Sequence, residues 1–230
     1  MTNIEKELIQ LKEDIIEMMH LVQGQLKKAG KAFSQQSIPK SKEIHKVENR
    51  VNAMELGISK DCENIIALYN PVASDLRLVL AALKIVIYLE RIGDHADKIA
   101  RYVRKEQITD PINPKLLDAI QFDAIFEIAL EMVNDAIDGF INEDTEVARL
   151  VFVKDQNLNK LHGNAIETLA KLGESNDPDK SESMINILYL FSIVNKLERV
   201  GDLAKNIAEE TIFYVEAKVL KHTKVTKKKK

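Results

Sequence analysis

Apolar residues near the start of the chain fall at Ile4, Leu8, Leu11, Ile15, Met18, Val22 and Leu26, in steps of 4, 3, 4, 3, 4 and 4. That spacing collects them on one face of an α-helix and leaves polar residues on the other, the stripe of a helix that packs in a bundle. The helix is expected to end near Gly24–Gly30, with "SQQSIP" as a loop. A second helix follows from Ile44, Val47, Val51, Met54, Ile58, Cys62, Ile65 and Tyr69. Cys62 lies inside this seam and reads as a small buried hydrophobe. At "NPVASD" a third helix starts, with Asn70 as its cap, Pro71 in its first turn and Asp75 at the positive end of the dipole. It runs to about Lys105, where "ITDPINP" interrupts it. The pattern then repeats: a fourth helix from Asn113–Pro114 fading at Gly139, a fifth from about Thr145 to Gly173, the loop "ESNDPDKS", and a sixth reaching about Lys218.

Helices of about thirty residues are roughly 45 Å long, and long helices joined by short loops pack antiparallel. The expected fold is all-α: six long helices forming two pseudo-symmetric three-helix bundles. The first repeat spans 1–106 and the second 113–218, and a basic disordered tail covers 219–230.

The letters themselves repeat. "LERIGDHADKIA" at 89–100 returns as "LERVGDLAKNIA" at 197–208, an offset of 198 − 90 = 108. "ENRVNAME" at 48–55 matches "DQNLNKLH" at 155–162, an offset of 155 − 48 = 107. Two blocks sharing nearly one offset point to an internal duplication.

Helical geometry turns the repeat into a surface. Glu90, Asp94 and Asp97 stand at i, i+4 and i+7, so their carboxylates line one stripe, continuing an apolar stripe of Val79, Leu83 and Val86. The core seam of Leu89, Ile92, Ala96, Ile99 and Val103 occupies another side. In the second copy Glu198 and Asp202 take the acidic positions. Glu48, Asn52 and Glu55 share a stripe on the second helix, and Asp155, Asn159 and His162 the matching stripe on the fifth. Each half therefore has two rows of donors that would face each other if their helices are neighbours. Like charges so stacked repel, more strongly when partly desolvated. Lys98, Lys205, Arg91 and Arg199 offer partial relief, and a hard divalent or trivalent cation would offer more. Gly93 and Gly201 cost about 1 kcal/mol each against alanine in mid-helix, which a close helix approach or a ligand would offset. The competing reading is that the acidic stripes are simply solvated. His20, His45, His95 and His222 join no constellation and read as surface or structural; His162 stands out because it fills the slot of Glu55.

Composition narrows the function. A net charge of −3 argues against general affinity for nucleic acid. The exception is the tail "KVLKHTKVTKKKK", read as solvated or as a tether to anionic lipid or an acidic partner. With a single cysteine there is no intrachain disulfide, an acidic amphipathic start is not a signal peptide, and no apolar run would span a membrane, so a cytoplasmic setting is expected. Enzymatic signatures are missing: there is no phosphate-cradling glycine loop and no Ser/His/Asp order, and the single Glu-x-x-His, Glu17 to His20, is not the pair of such motifs that a di-iron core uses. The chain is expected not to be an enzyme.

The run "PVASDLRLVLAALKIVIYLERIGDHADKIA" with its echo "LERVGDLAKNIA" closely resembles the PhoU family of bacterial regulators of phosphate uptake and signalling, a likeness covering about residues 1–217. The resemblance implies two three-helix bundles and metal clusters of iron or zinc held by E(D)xxxD pairs. Here those pairs map to Glu48–Asn52 with Glu90–Asp94, extended by Glu55 and Asp97, and to Asp155–Asn159 with Glu198–Asp202. It further implies a homodimer that damps the phosphate-starvation response by linking the ATPase subunit of a phosphate transporter to a phosphate-sensing histidine kinase. The chain departs from the family at Ser59 and Lys60, where an acidic pair is common. It departs again at Asn159 and His162, where Asp and an aromatic are common, and at Lys205, the counterpart of Asp97. The second site is therefore expected to bind metal more weakly or to recruit His162. Beside this adaptor reading stand two others, a metal-buffering or metal-dependent catalytic bundle and a metal-free scaffold.

Overall fold

The computed structural model describes residues 2–35, 37–104, 112–174 and 183–220. Within them the chain forms α1 (Asn3–Ser34), α2 (Ile38–Tyr69), α3 (Ala73–Arg104), α4 (Pro114–Ala119), α5 (Phe122–Ile141), α6 (Thr145–Gly173) and α7 (Met184–Glu216). No strand occurs among the described residues. The basic segment from 221 onward, with His222, lies outside them, as do residues 105–111 and 175–182 of the two expected loops.

Local chemistry sets the starts. Thr2 Oγ1 accepts the Glu5 amide at 3.3 Å while Glu5 Oε2 accepts the Thr2 amide at 2.8 Å, a capping box for α1. Asp144 Oδ1 accepts the amides of Glu146 and Val147 at 2.9 and 3.1 Å, which fixes α6 where Thr145 was expected to open it.

Three expectations need correction. The first helix does not stop at Gly24 or Gly30 but continues to Ser34, because Ala32 and Phe33 beyond them are buried in the core. Gly30 instead admits a neighbour: a Cβ there would lie 2.3 Å from Phe126 Cζ, where α1 meets α5. Asn70 does not cap the third helix. It ends α2 in the left-handed region at φ 47°, and α3 begins three residues later at Ala73. Among the described residues the helices number seven rather than six, since the fourth expected helix is two, α4 and α5, broken at Gln121 with φ 53°. Leu116, Ile120 and Phe122 explain the break. All three are buried, yet neighbours two apart on an unbroken helix point to nearly opposite sides.

The helices α1, α2 and α3 pack on one another, as do α5, α6 and α7, while α3 lies against α7 and α1 touches α5. Ile15, Met18, Val22, Ile85, Leu89 and Ile92 belong to the same continuous core as Met132, Leu158, Leu197 and Val200. Burying a side chain of this size stabilises by about 1.5–3 kcal/mol. Cys62 is fully buried in the seam, and burial pushes its thiol up to about 12, so it stays an inert thiol.

Candidate metal centre

α2 and α3 lie side by side, which brings the first pair of donor rows together. Glu48 faces inward at 7% exposure, and Gln25 Nε2 of α1 donates to its Oε2 at 2.7 Å. Gly93 makes room for this contact: a Cβ there would stand 3.0 Å from both Glu48 Oε2 and Gln25 Oε1. Burial pushes the Glu48 carboxyl up to about 7 against the Gln25 hydrogen bond, and the charges of Asp94, Asp97 and Glu90 add to the rise. Glu90 is held above the usual carboxylate range by partial burial, then by Asp94 and by Glu55 from across the helix pair. Asn52, Glu55 and Glu90 line a common shallow cavity of about 290 Å³, rimmed by Leu56 and Ile87. Asn52 Oδ1 is buried with no hydrogen-bond partner, an acceptor lacking a donor.

The donors are brought into facing rows but not to one point. Among the described residues no three His, Cys, Asp or Glu side chains form a group that could hold a metal ion. Internal partners account for the spread. Gln25 draws in Glu48, Lys98 holds Asp94 through an i, i+4 ion pair, and Ser59 donates to Glu55 at 3.2 Å. Asp97, buried at 2% exposure, lies 3.5 Å from His45 Nδ1 and 3.5 Å from the Arg101 guanidinium.

The second half repeats the frame with different chemistry. Lys205 Nζ donates to both oxygens of Asp155, at 3.2 and 3.1 Å, and to Asp202 Oδ1 at 2.7 Å. Burial alone would lower its pKa; the hydrogen bonds to Asp202 and Asp155 win and hold it above its ordinary value. An internal ammonium thus bridges α6 and α7 at the position where the first half carries Asp97. Glu198 is raised by partial burial and by Asp202, with His162 opposing. His162 Nε2 pairs with Asn195 Oδ1 at 3.0 Å. Asn159 is exposed, away from these pairs. A Cβ on Gly201 would lie 2.3 Å from Leu158 Cδ2 and 3.3 Å from Met132 Sδ. By the offset of 107, Met132 stands for Gln25 and Leu158 for Val51. Both glycines thus serve close approach, but the polar Gln25–Glu48 contact of the first half is replaced by hydrocarbon in the second.

Of the two sites the first has the donor chemistry a hard cation takes, although its carboxylates are not gathered around one point. The first offers carboxylate and amide oxygens, raised carboxyls without enough counter-charge, and an orphaned acceptor at Asn52. The second already holds a cation of its own, Lys205.

Sequence reading missed two residues beside these rows, and a third on another side of α3. His45 sits three positions before Glu48 and continues its stripe, a signal present in the spacing. Gln25 is a polar residue on the apolar face of α1, three after Val22. His95 was read as surface or structural; it is buried at 7% exposure, its Nδ1 has no partner, and burial pushes its pKa down to about 4.

The PhoU domain matches residues 15–103 and again 122–211. A PhoU homologue of Aquifex aeolicus, a phosphate-specific transport system accessory protein, is 33% identical over 97% of this chain and 97% of its own. Its counterpart in Escherichia coli K12 is 29% identical over 94% of this chain and 86% of its own. The crystal structure of PhoU from Pseudomonas aeruginosa superposes with a TM-score of 0.84 at 29% identity, covering 93% of this chain and 99% of that one. The structure of the phosphate transport system regulatory protein PhoU from Streptococcus pneumoniae shares the fold at a TM-score of 0.80 and 22% identity, over 94% and 99%. With both halves matched by the PhoU domain and relatives aligned along nearly the whole length, this chain belongs to the PhoU family.

Proposed function

We propose that this chain is the accessory regulator of a phosphate-specific transport system, acting in the cytoplasm as an inhibitory adaptor between the transporter's ATPase subunit and a phosphate-sensing histidine kinase. The observation that carries this reading is the double PhoU domain match, 15–103 and 122–211, in a chain whose relatives bear that accessory role in their names over nearly full length. The described helices include none long and apolar enough to cross a membrane, in keeping with an adaptor that reaches the membrane through partners. On this reading the molecule is two three-helix repeats related by pseudo-symmetry, working as a homodimer. It binds through its helix faces and catalyses nothing.

Iron or zinc belongs to the proposal at the first site. Glu48, Asn52, Glu55, Glu90 and Asp94 are the residues that would hold it. Bound there, it would neutralise charge between α2 and α3 and would supply no chemistry. Leu56 and Ile87, 69% and 46% exposed, flank these donors, so an ordered metal site would present an apolar rim to a docking partner.

Deleting the gene and following phosphate uptake tests the regulator reading. Loss of phosphate repression with unchanged metal tolerance is expected, restored by the intact gene. Normal repression in the deletion strain, or a defect in metal tolerance alone, would contradict it.

A further inference from the structure

Where α3 lies against α7, a cavity of about 510 Å³ opens that the donor rows do not use. Its walls include His95 and Lys98 from α3, and Ser192, Lys196 and Arg199 from α7. A second recess of about 220 Å³ shares Lys98 and Lys196 with it and adds Arg101 and Tyr102. Among the described residues no carboxylate lines either recess. The acidic rows of the molecule thus have a basic counterpart on another side of the same helices.

The cations are not equivalent. Lys98 is held by Asp94 and Arg101 lies toward Asp97, so their charge is partly met. Lys196 and Arg199 form no ion pair among the described residues. Lys196 is nonetheless positioned: its Nζ donates to Ser192 Oγ at 2.6 Å and to the Ser192 carbonyl at 3.3 Å, and lies 5.6 Å from the centre of the Tyr102 ring. Tyr102 donates its hydroxyl proton to Ser192 Oγ at 2.5 Å. With Ser192 accepting twice, its own proton is left to donate outward. His95, buried in the wall, adds a ring nitrogen with no partner. Two positive charges without an ion-pair partner among the described residues and a hydroxyl donor beside them make a site for an oxyanion.

From this arrangement we propose that the α3–α7 groove binds the phosphate group of a small ligand, with Lys196 and Arg199 neutralising it and Ser192 donating to it. The cavity is larger than one tetrahedral anion fills. Phe191, 45% exposed in the wall, offers a flat face to an organic portion. Inorganic phosphate and a phosphorylated organic molecule share this chemistry, and the experiment separates them. The inference rests on side-chain geometry between α3 and α7, not on the regulatory role proposed above.

Calorimetric titration of the full chain with orthophosphate, and separately with ADP, at constant ionic strength is the test. Saturable binding of either is expected: orthophosphate alone identifies the inorganic ion, and ADP alone or more tightly identifies a phosphorylated organic ligand. Lys196→Gln and Arg199→Gln should each weaken binding about tenfold or more, as loss of a charge-assisted contact does. Lys196→Arg, which keeps the charge, should weaken it less. Should Lys196→Gln melt early because the lysine also packs on Tyr102, Arg199→Gln, at an exposed side chain, gives the same reading on a folded protein. The absence of saturable heat with both ligands up to millimolar concentration would overturn the proposal, as would wild-type affinity in Arg199→Gln. Repression of phosphate uptake is measured separately in cells, so a groove that binds nothing leaves the regulator reading standing.

Discussion

A Cβ on Gly93 would stand 3.0 Å from Glu48 Oε2, so the α-carbon of one helix forms the floor on which the carboxylate of another rests. At the matching place in the second half, a Cβ on Gly201 would penetrate Leu158 Cδ2 at 2.3 Å. The two glycines should therefore respond differently to alanine. The substitution gains about 1 kcal/mol of helix propensity in either case. At Gly201 it meets a fully buried leucine and methionine, and overpacking of this kind costs about 1–3 kcal/mol. Gly201→Ala should lower the midpoint of denaturant unfolding. Gly93→Ala requires Glu48 and Gln25 to shift by a few tenths of an ångström, so its stability should stay near wild type while Glu48 moves outward. A larger loss of stability at Gly93 than at Gly201 would refute this account.

The raised carboxyl of Glu48 gives metal-free protein a pH-dependent stability. Its folded pKa of about 7 exceeds the ordinary 4.5, so folding favours the protonated form. The contribution is present in full below pH 4.5 and is lost as the pH rises through 7. Such a shift corresponds to about 3 kcal/mol. Glu48→Gln keeps the shape and removes the titration. In chelator-treated protein at pH 8, the variant should be more stable by about 2 kcal/mol, allowing about 1 kcal/mol for a weakened contact with Gln25. Near pH 4.5 the order should reverse, leaving the variant slightly the less stable, by at most about 1 kcal/mol through the weakened contact. An unchanged gap between those two pH values would show that Glu48 does not titrate as described.

Removing two of the facing carboxylates tests the ligand assignment. Glu90→Ala with Asp94→Ala keeps a good helix former at both positions and relieves the repulsion that raises Glu48 and Glu90. The double variant should lose the first-site metal in elemental analysis of protein prepared without chelator, while its helical content by circular dichroism stays that of the parent. Metal retained in full would mean that the ion is held elsewhere.

The donor rows were legible because helical period is a strict rule: Glu48, Asn52 and Glu55 on α2, and Glu90, Asp94 and Asp97 on α3, are placed by spacing alone once the two helices are adjacent. The ends of α6 were legible too, since the apolar run opens near Thr145 and Gly173 closes it. Asn70 was not, because asparagine suits both a helix start and the left-handed position that ends one. The break at Gln121 was hidden too. Glutamine is no breaker, and only the joint burial of Ile120 and Phe122 demands the turn. Least legible was who neutralises whom. Lys205 lies three residues from Asp202, and its relief of that charge follows from sequence, but its reach to Asp155 on α6 depends on how two helices pack.

That reach gives the last prediction. Lys205 supplies at the second site what a metal would supply at the first: positive charge between a carboxylate of one helix and a carboxylate of the next. A bound cation must displace the ammonium or share the two aspartates with it, and either loses affinity. Lys205→Asp restores the acidic residue found at Asp97 and removes the competitor. The variant should take up metal at the second site in calorimetric titration, where the parent binds it more weakly than at the first. In the metal-free state the same variant should be less stable, because Asp155, Asp202 and the new carboxylate then repel without a counter-ion. Added metal should reverse that loss, since a ligand that binds only the folded state stabilises it by mass action. If metal neither binds the second site of Lys205→Asp nor raises its melting temperature, the ammonium is not what separates the two sites.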